Sequence, residues 1–142
     1  MGVYPHIACC VEDSPGSRRA LAEAHRLRAL APGRLSVLHV VGMPAPPPYL
    51  GEGGSFLPDP AQLLEGALGW VRDQLHGEVP AEPVILEGNP PQAVCAWAAA
   101  NGVDLIVAGA ERGAMERLLL GSFANHLARH APCSVLLVRP DH

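Results

Sequence analysis

The amino-acid sequence predicts an α/β protein in which helices cover both faces of a parallel β-sheet. Five short apolar runs alternate with four segments of helical periodicity, and most of the links between them are short. The residues are 49% hydrophobic but only 4% aromatic, which indicates an aliphatic, alanine-rich core. A chain of 142 residues is long enough for one such core, so we expect a single domain over residues 1–142.

The predicted strands are short runs in which apolar residues follow one another with little alternation. Such runs are typical of a parallel sheet whose two faces are both buried. The five runs are residues 6–11, 35–41, 83–86, 105–109 and 134–138.

The predicted helices lie between these runs and cover residues 17–30, 59–75, 92–100 and 122–130. Pro90-Pro91 fits the start of the third helix, and Asn101-Gly102 fits a left-handed end. Helical spacing gives the first helix one apolar face, which we expect to pack on the sheet. The residues of this face are Ala20, Leu21, Ala24, Leu27 and Leu30.

One connection is much longer than the others. Residues 43–60, between the second strand and the second helix, are rich in proline and glycine. Long connections in compact domains are usually functional or loosely structured. We therefore interpret this segment as a surface loop or as a flap over a ligand at the carboxyl edge of the sheet.

The composition excludes several classes of function. The net charge is −4, all ten basic residues are arginines, and they are dispersed along the sequence. This pattern offers no basic stripe for nucleic acid, and the lack of lysine excludes a Walker A phosphate loop and a Schiff-base mechanism. No apolar stretch approaches the roughly 20 residues of a membrane span, and the first ten residues do not resemble a signal peptide. We expect a cytoplasmic protein with reduced thiols.

A glycine-containing loop is the strongest functional signal. Gly109 ends the fourth predicted strand, Gly113 follows in the loop, and Gly121-Ser122 opens the last predicted helix. Glycines let a backbone approach a ligand closely, and the start of a helix offers N–H groups and a positive dipole end to phosphate. Without lysine, a phosphate here would be bound by backbone N–H groups, serine hydroxyls, an arginine such as Arg112, or a metal ion.

A second polar loop follows the first predicted strand. Glu12, Asp13 and Ser14 would face the same crevice if the first and fourth strands are neighbours, since ligands of open parallel sheets bind outside the carboxyl ends of the strands. An acidic residue at this place commonly binds a ribose hydroxyl or a metal ion. The equally strong alternative is that Asp13, Ser14 or Ser17 caps the first helix.

These motifs together resemble those of the universal stress protein family over essentially the whole chain. The resemblance is carried by the first strand and helix in residues 10–24, by Leu-Ser-Val-Leu-His-Val at residues 35–40, and by Glu-Gly-Asn-Pro at residues 87–90. The strongest match is Arg-Leu-Leu-Leu-Gly-Ser at residues 117–122, followed by residues 129–138.

The resemblance implies a sheet of strand order 3-2-1-4-5 and, in one branch of the family, binding of ATP or another adenine nucleotide, with or without Mg²⁺. That branch carries the motif G-x2-G-x9-G-[ST], whereas the loop of this chain is one residue shorter. The resemblance further implies that Val41 presents backbone groups to adenine, and we expect binding with slow ATP hydrolysis at most. The predicted nucleotide-binding residues are Glu12, Asp13, Ser14, Val41, Gly109, Arg112, Gly113, Gly121, Ser122 and Phe123.

Two alternatives remain from the sequence. A second branch of the family lacks the motif and does not bind ATP, so the chain is alternatively a dimeric interaction protein without nucleotide. Seven histidines are scattered along the chain, and His126 and His130 have the four-residue spacing of a metal-binding pair, although solvated helix residues are the simpler interpretation without an H-E-x-x-H pattern.

The last predicted strand, Ser134–Val138, is apolar and uncharged. In the order 3-2-1-4-5 it lies at an edge of the sheet, where unpaired N–H and C=O groups invite pairing with another chain. Many members of the family dimerise through this strand. We therefore expect a homodimer formed by pairing of Ser134–Val138 with its symmetry mate.

Overall fold

The computed structural model describes residues 3–12, 14–42, 59–75, 79–110 and 121–139. Most of the predicted long connection, residues 43–58, lies outside the described residues. The elements in chain order are β1 (His6–Cys10), α1 (Pro15–Leu30), β2 (Arg34–Val41), α2 (Pro60–Gln74), β3 (Glu82–Glu87), α3 (Pro90–Ala100), β4 (Leu105–Gly109), α4 (Ser122–His130) and β5 (Ser134–Val138).

The five strands form one parallel sheet of order β3-β2-β1-β4-β5, which confirms the predicted fold class. The central strand β1 pairs with β2 on one side and β4 on the other, so that Cys9 is level with both Val37 and Val107. Because all five strands run in the same direction, their carboxyl ends lie together at one edge of the sheet. The strand order reverses between β1 and β4, where an open α/β sheet leaves a crevice.

Both faces of the sheet are buried, as the unbroken apolar runs predicted. One face packs against α1 and α2, and its core includes Ile7, Val37 and Val71. The other face packs against α3 and α4, and its core includes Leu38 and Leu127. No helix in the described part of the chain combines the length and apolar character needed to cross a membrane.

The first helix begins at Pro15, two residues before the predicted start. Ser14 is its N-cap, because the Ser14 hydroxyl accepts a hydrogen bond from the N–H of Ser17 at 3.1 Å. Ser17 has a different role, since its buried hydroxyl accepts from the N–H of Glu12 at 2.8 Å. Of the three candidate caps, Ser14 therefore fills the role, and Asp13 lies outside the described residues.

Arg28 is a buried cation in the last turn of α1, with 3% of its surface exposed. Its guanidinium donates hydrogen bonds to the carbonyl oxygens of Tyr4 at 2.8 Å and Arg34 at 3.0 Å. Further bonds of 3.2 and 3.1 Å reach the carbonyls of Ala31 and Pro32. This single side chain thereby joins the segment before β1 to the turn between α1 and β2.

His6 is buried at the opposite edge of the sheet from the crevice. Its Nδ1 lies 3.1 Å from the carbonyl oxygen of Asn101 and its Nε2 lies 2.8 Å from the hydroxyl of Ser36. A carbonyl only accepts, so Nδ1 carries the proton and Nε2 accepts from Ser36. Burial lowers the pKa of His6, which keeps the ring neutral.

This arrangement predicts that the protein loses stability in mild acid. The pKa of His6 is lower in the folded than in the unfolded chain, so the unfolded state binds more protons at low pH. The contribution of neutral His6 to the free energy of unfolding is complete above its pKa of about 6.5 in the unfolded chain. This contribution is lost as the pH falls from there toward the lower pKa in the folded chain. Burial also lowers the pKa of His25, so His25 should add to the loss of stability in mild acid.

Urea unfolding at pH 7.5 and pH 5.5 measures this effect. The parent should be less stable at pH 5.5, and His6→Gln should show a smaller difference because glutamine does not titrate. A pH difference in His6→Gln as large as in the parent would contradict the assignment.

Candidate functional site

A cavity of about 600 Å³ opens at the carboxyl edge of the sheet, where the order of the strands reverses. The ends of β1, β2 and β4 and the first turns of α1, α3 and α4 line it. Its size falls within the range of about 300–1,000 Å³ that is usual for small-molecule sites.

The floor of the cavity is apolar. It includes Cys10, Leu38, Val94 and Ala108, which belong to the core between the sheet and the pair α3 and α4. Burial, with a smaller contribution from Cys95 and Cys133, raises the pKa of the Cys10 thiol to about 12. Cys10 therefore remains a neutral thiol and contributes apolar surface rather than a nucleophile.

Two of the three helix starts at the cavity are already occupied by their own caps. At α3, Pro90 and Pro91 have no N–H groups, and the side-chain oxygen of Asn89 accepts from Gln92 N–H at 3.4 Å. At α1, Pro15 has no N–H group and Ser14 caps Ser17. These two helix starts offer few donors to a ligand.

The start of α4 is different. Its N-cap is Gly121, which has no side chain to accept a hydrogen bond, and the first helical bond runs from Asn125 N–H to the Gly121 carbonyl at 2.9 Å. Within the described residues, no acceptor meets the N–H groups of Ser122 and Phe123, and both residues line the cavity. The positive end of the helix dipole lies at the same place, so α4 presents an anion-binding helix start to the cavity.

The predicted site residues are distributed unevenly over this geometry. Those that line the cavity are Glu12, Ser14, Gly109, Gly121, Ser122 and Phe123. Val41 lies beyond the part of β2 that lines it and instead borders a neighbouring cavity of about 430 Å³. The Val41 carbonyl accepts from Gly88 N–H at 3.3 Å. Asp13, Arg112 and Gly113 lie outside the described residues.

Gly109 has a packing role in addition to its place in the cavity. A Cβ atom at Gly109 would lie 3.2 Å from the carbonyl carbon and oxygen of Gly16, in the first turn of α1. The end of β4 and the start of α1 thus approach closely because neither residue has a side chain. The sequence prediction considered only a ligand as the reason for this glycine.

Five polar lining residues are absent from the predicted nucleotide-binding residues: Ser17, His39, Asn89, Gln92 and His126. The Nδ1 of His39 lies 2.8 Å from the carbonyl oxygen of Val11 and donates a hydrogen bond to it, because a carbonyl oxygen only accepts. The ring also packs on Trp70 with centroids 4.9 Å apart. In the sequence, the signal that could have identified His39 was the presence of a histidine within the apolar run of β2.

Comparison with known proteins agrees with the observed fold. The model of the universal stress protein family matches residues 4–139. A universal stress protein of Thermus aquaticus is 31% identical over 141 residues, which covers 96% of this chain and 100% of that protein.

Solved structures show the same fold. The universal stress protein UspA from Lactobacillus plantarum has a TM-score of 0.76 at 24% identity and covers 98% of this chain and 100% of its own. A universal stress protein in complex with cAMP has a TM-score of 0.70 at 22% identity and covers 99% of this chain and 100% of its own. The match of the family model over residues 4–139, together with the relative in Thermus aquaticus, shows that the chain belongs to the universal stress protein family.

Proposed function

We propose that the chain binds an adenine nucleotide, ATP or AMP, in the cavity at the carboxyl edge of the sheet and acts in a stress response by ligand-dependent interaction. The observation that carries the proposal is the uncapped start of α4 beside an apolar floor. A nucleotide needs both features, because its phosphates are anionic and its base is flat and largely apolar. The complex of a similar structure with cAMP supports the same class of ligand.

Each part of a nucleotide has matching groups in the cavity. The N–H groups of Ser122 and Phe123 would bind phosphate oxygens, and the Ser122 hydroxyl would add a further bond. The base would rest on the apolar floor near Leu38 and Val94. The exposed Glu12 would accept from ribose hydroxyls or bind a Mg²⁺ ion that accompanies the phosphates.

We assign binding rather than catalysis to this site. None of the described serines or cysteines that line the cavity is hydrogen-bonded to a histidine, which is the usual way to activate such a nucleophile. The proposed output of binding is therefore a change in interactions, with ATP hydrolysis slow at most.

Calorimetric titration and thermal unfolding with ATP, AMP and adenosine test the proposal. A ligand that binds only the folded chain at 100 times its Kd stabilises it by about 2.7 kcal/mol. AMP and ATP should raise the melting temperature, and adenosine, which lacks phosphate, should do so much less. If neither nucleotide binds at millimolar concentration with or without Mg²⁺, the proposal fails, and the second branch of the family, which does not bind ATP, becomes the better assignment.

That alternative is favoured by one specific observation, the glycine loop that is one residue shorter than the ATP-binding motif. The chain would then act as a dimeric interaction protein. Both functions involve a homodimer, and we propose that it forms through the exposed edge of β5.

The edge of β5 has backbone groups that its own sheet does not use. The Val138 carbonyl accepts from Ala110 N–H at 3.0 Å, so the backbone N–H and C=O groups of Val138 and Leu136 point toward β4. The backbone N–H and C=O groups of Val135 and Leu137 then point away from β4, because the direction of these groups alternates from one residue to the next along a strand. A second copy of β5 would pair with these outward groups.

Proline at an outward position therefore tests the dimer. Leu137→Pro should give a folded monomer by sedimentation at micromolar concentration, because it removes an outward N–H group and no bond to β4. Leu137→Ala is the matched control, since it loses the same side-chain packing but keeps the N–H group and should remain dimeric. A monomeric parent, or a Leu137→Pro variant that stays dimeric, would place the interface elsewhere.

A further inference from the structure

Two histidines on α4 stand side by side next to the cavity. His126 and His130 are one helical turn apart, and their ring centroids are 4.6 Å apart with a 49° angle between the ring planes. His126 is half-buried and lines the cavity, whereas His130 is exposed in the last turn of the helix. The fully buried residues of α4 are Ala124 and Leu127, so neither histidine belongs to the core.

The separation of the rings fits one metal ion held between them. An ion bonded to each imidazole at about 2.0–2.1 Å would lie about 3.2 Å from each ring centroid, because a ring nitrogen lies about 1.1 Å from the centroid. Two such ligands at a right angle would place the centroids about 4.5 Å apart. The observed separation of 4.6 Å is close to this value.

We propose that His126 and His130 form a chelating site for a divalent transition-metal ion of the Cu²⁺ or Ni²⁺ class, at the rim of the cavity. Imidazole nitrogen is a preferred ligand of these ions. The position also favours a cation, because the negative end of the helix dipole lies at the last turn of α4. The site is distinct from any Mg²⁺ that accompanies phosphates, since Mg²⁺ prefers oxygen ligands.

The ion would keep open coordination positions. Among the residues that the structure describes, no third histidine, cysteine, aspartate or glutamate joins the pair. Water would fill the remaining positions, some of them on the cavity side because His126 lines it. The proposal does not depend on nucleotide binding, because it rests on the two rings alone.

Titration of Ni²⁺ into protein without a histidine tag tests the site. The parent should bind one ion, and His126→Ala or His130→Ala should each weaken binding by about 100-fold, because the second imidazole binds within the same molecule. The matched control is the double variant Ala128→His/His130→Ala, which keeps the number of histidines but places the second one two residues from His126. Positions two apart on a helix do not face each other, so this control should bind as weakly as His130→Ala.

Electron paramagnetic resonance of the Cu²⁺ form gives a second readout. Two coordinated imidazoles are expected in the parent and one in either single variant, with unchanged helical circular dichroism. The proposal is overturned if the parent binds no stoichiometric ion, or if the double variant Ala128→His/His130→Ala binds as tightly as the parent.

Discussion

Replacement of Arg28 by alanine is expected to lower the free energy of unfolding by about 3–5 kcal/mol. The guanidinium donates to carbonyl oxygens on both sides of the junction between the segment before β1 and the turn before β2. Hydrogen bonds from a charged donor contribute about 1.5–3 kcal/mol each, and their loss would leave several carbonyls without a donor. Urea denaturation of the two proteins measures the difference.

Three comparisons separate hydrogen bonding from other effects of this change. Arg28→Met keeps much of the aliphatic packing but has no donors, so it should be nearly as destabilising as Arg28→Ala. Arg28→Lys should recover only part of the loss, because one ammonium group does not reproduce a planar fork of donors. Arg26→Ala removes an exposed ion pair with Glu23 of 3.2 Å and should change stability by less than about 0.5 kcal/mol.

Gly33 provides an independent test of the same arrangement. A Cβ atom at this position would lie 2.6 Å from the guanidinium carbon of Arg28 and 2.6 Å from the carbonyl oxygen of Pro5. Gly33→Ala should therefore destabilise the parent more than it destabilises the smaller Arg28→Ala variant. If Arg28→Ala stays within about 1 kcal/mol of the parent, the buried arginine does not have the stabilising role assigned to it.

Gly121→Val is expected to weaken the binding of AMP and ATP by about 100-fold or more. Gly121 is buried at the N-cap of α4, and a branched side chain there would stand between the first N–H groups of the helix and a phosphate. Loss of two charge-assisted hydrogen bonds of about 1.5 kcal/mol each corresponds to about 100-fold in Kd. Calorimetric titration measures the change.

A second variant separates this effect from a loss of folding. Ser122 is exposed in the first turn, where a carboxylate favours the helix dipole by about 0.3–1 kcal/mol. Ser122→Asp should therefore be as stable as the parent yet bind AMP far more weakly, because it repels phosphate. Ser122→Ala loses one hydroxyl only and should weaken binding by about tenfold. If the Ser122→Asp variant binds AMP as tightly as the parent, the phosphate does not bind at the start of α4.

Local signals in the sequence were sufficient for the elements of the fold. Runs without alternation predicted strands buried on both faces, and the glycine after Asn101 predicted the left-handed end of α3, where Gly102 has φ of 65°. The prediction for Leu30 was wrong: 82% of this residue is exposed, because it is the last residue of α1, where the periodicity no longer reports contact with the sheet. The observed start of α1 at Pro15 also differs from the predicted start at residue 17, because the sequence alone does not distinguish Ser14 from Ser17 as the N-cap.

For the candidate site, the sequence by itself determined which loops meet. The order of the strands follows from the motifs of the family, and it brings the residues after β1 and β4 to one crevice. Glu12, Gly109 and Gly121 were found in this way, because a strand end and a helix start are readable from local pattern.

Only the tertiary structure decided which role each of these residues has. Three helix starts meet at the cavity, and the start of α4 is the uncapped one because its N-cap is a glycine, whereas Asn89 and Ser14 cap the other two. The contact of Gly109 with Gly16, the carbonyls that converge on Arg28, and the proton on Nδ1 of His6 join residues far apart in the chain. Their energies depend on which donor meets which acceptor in space, and local sequence pattern does not specify that pairing.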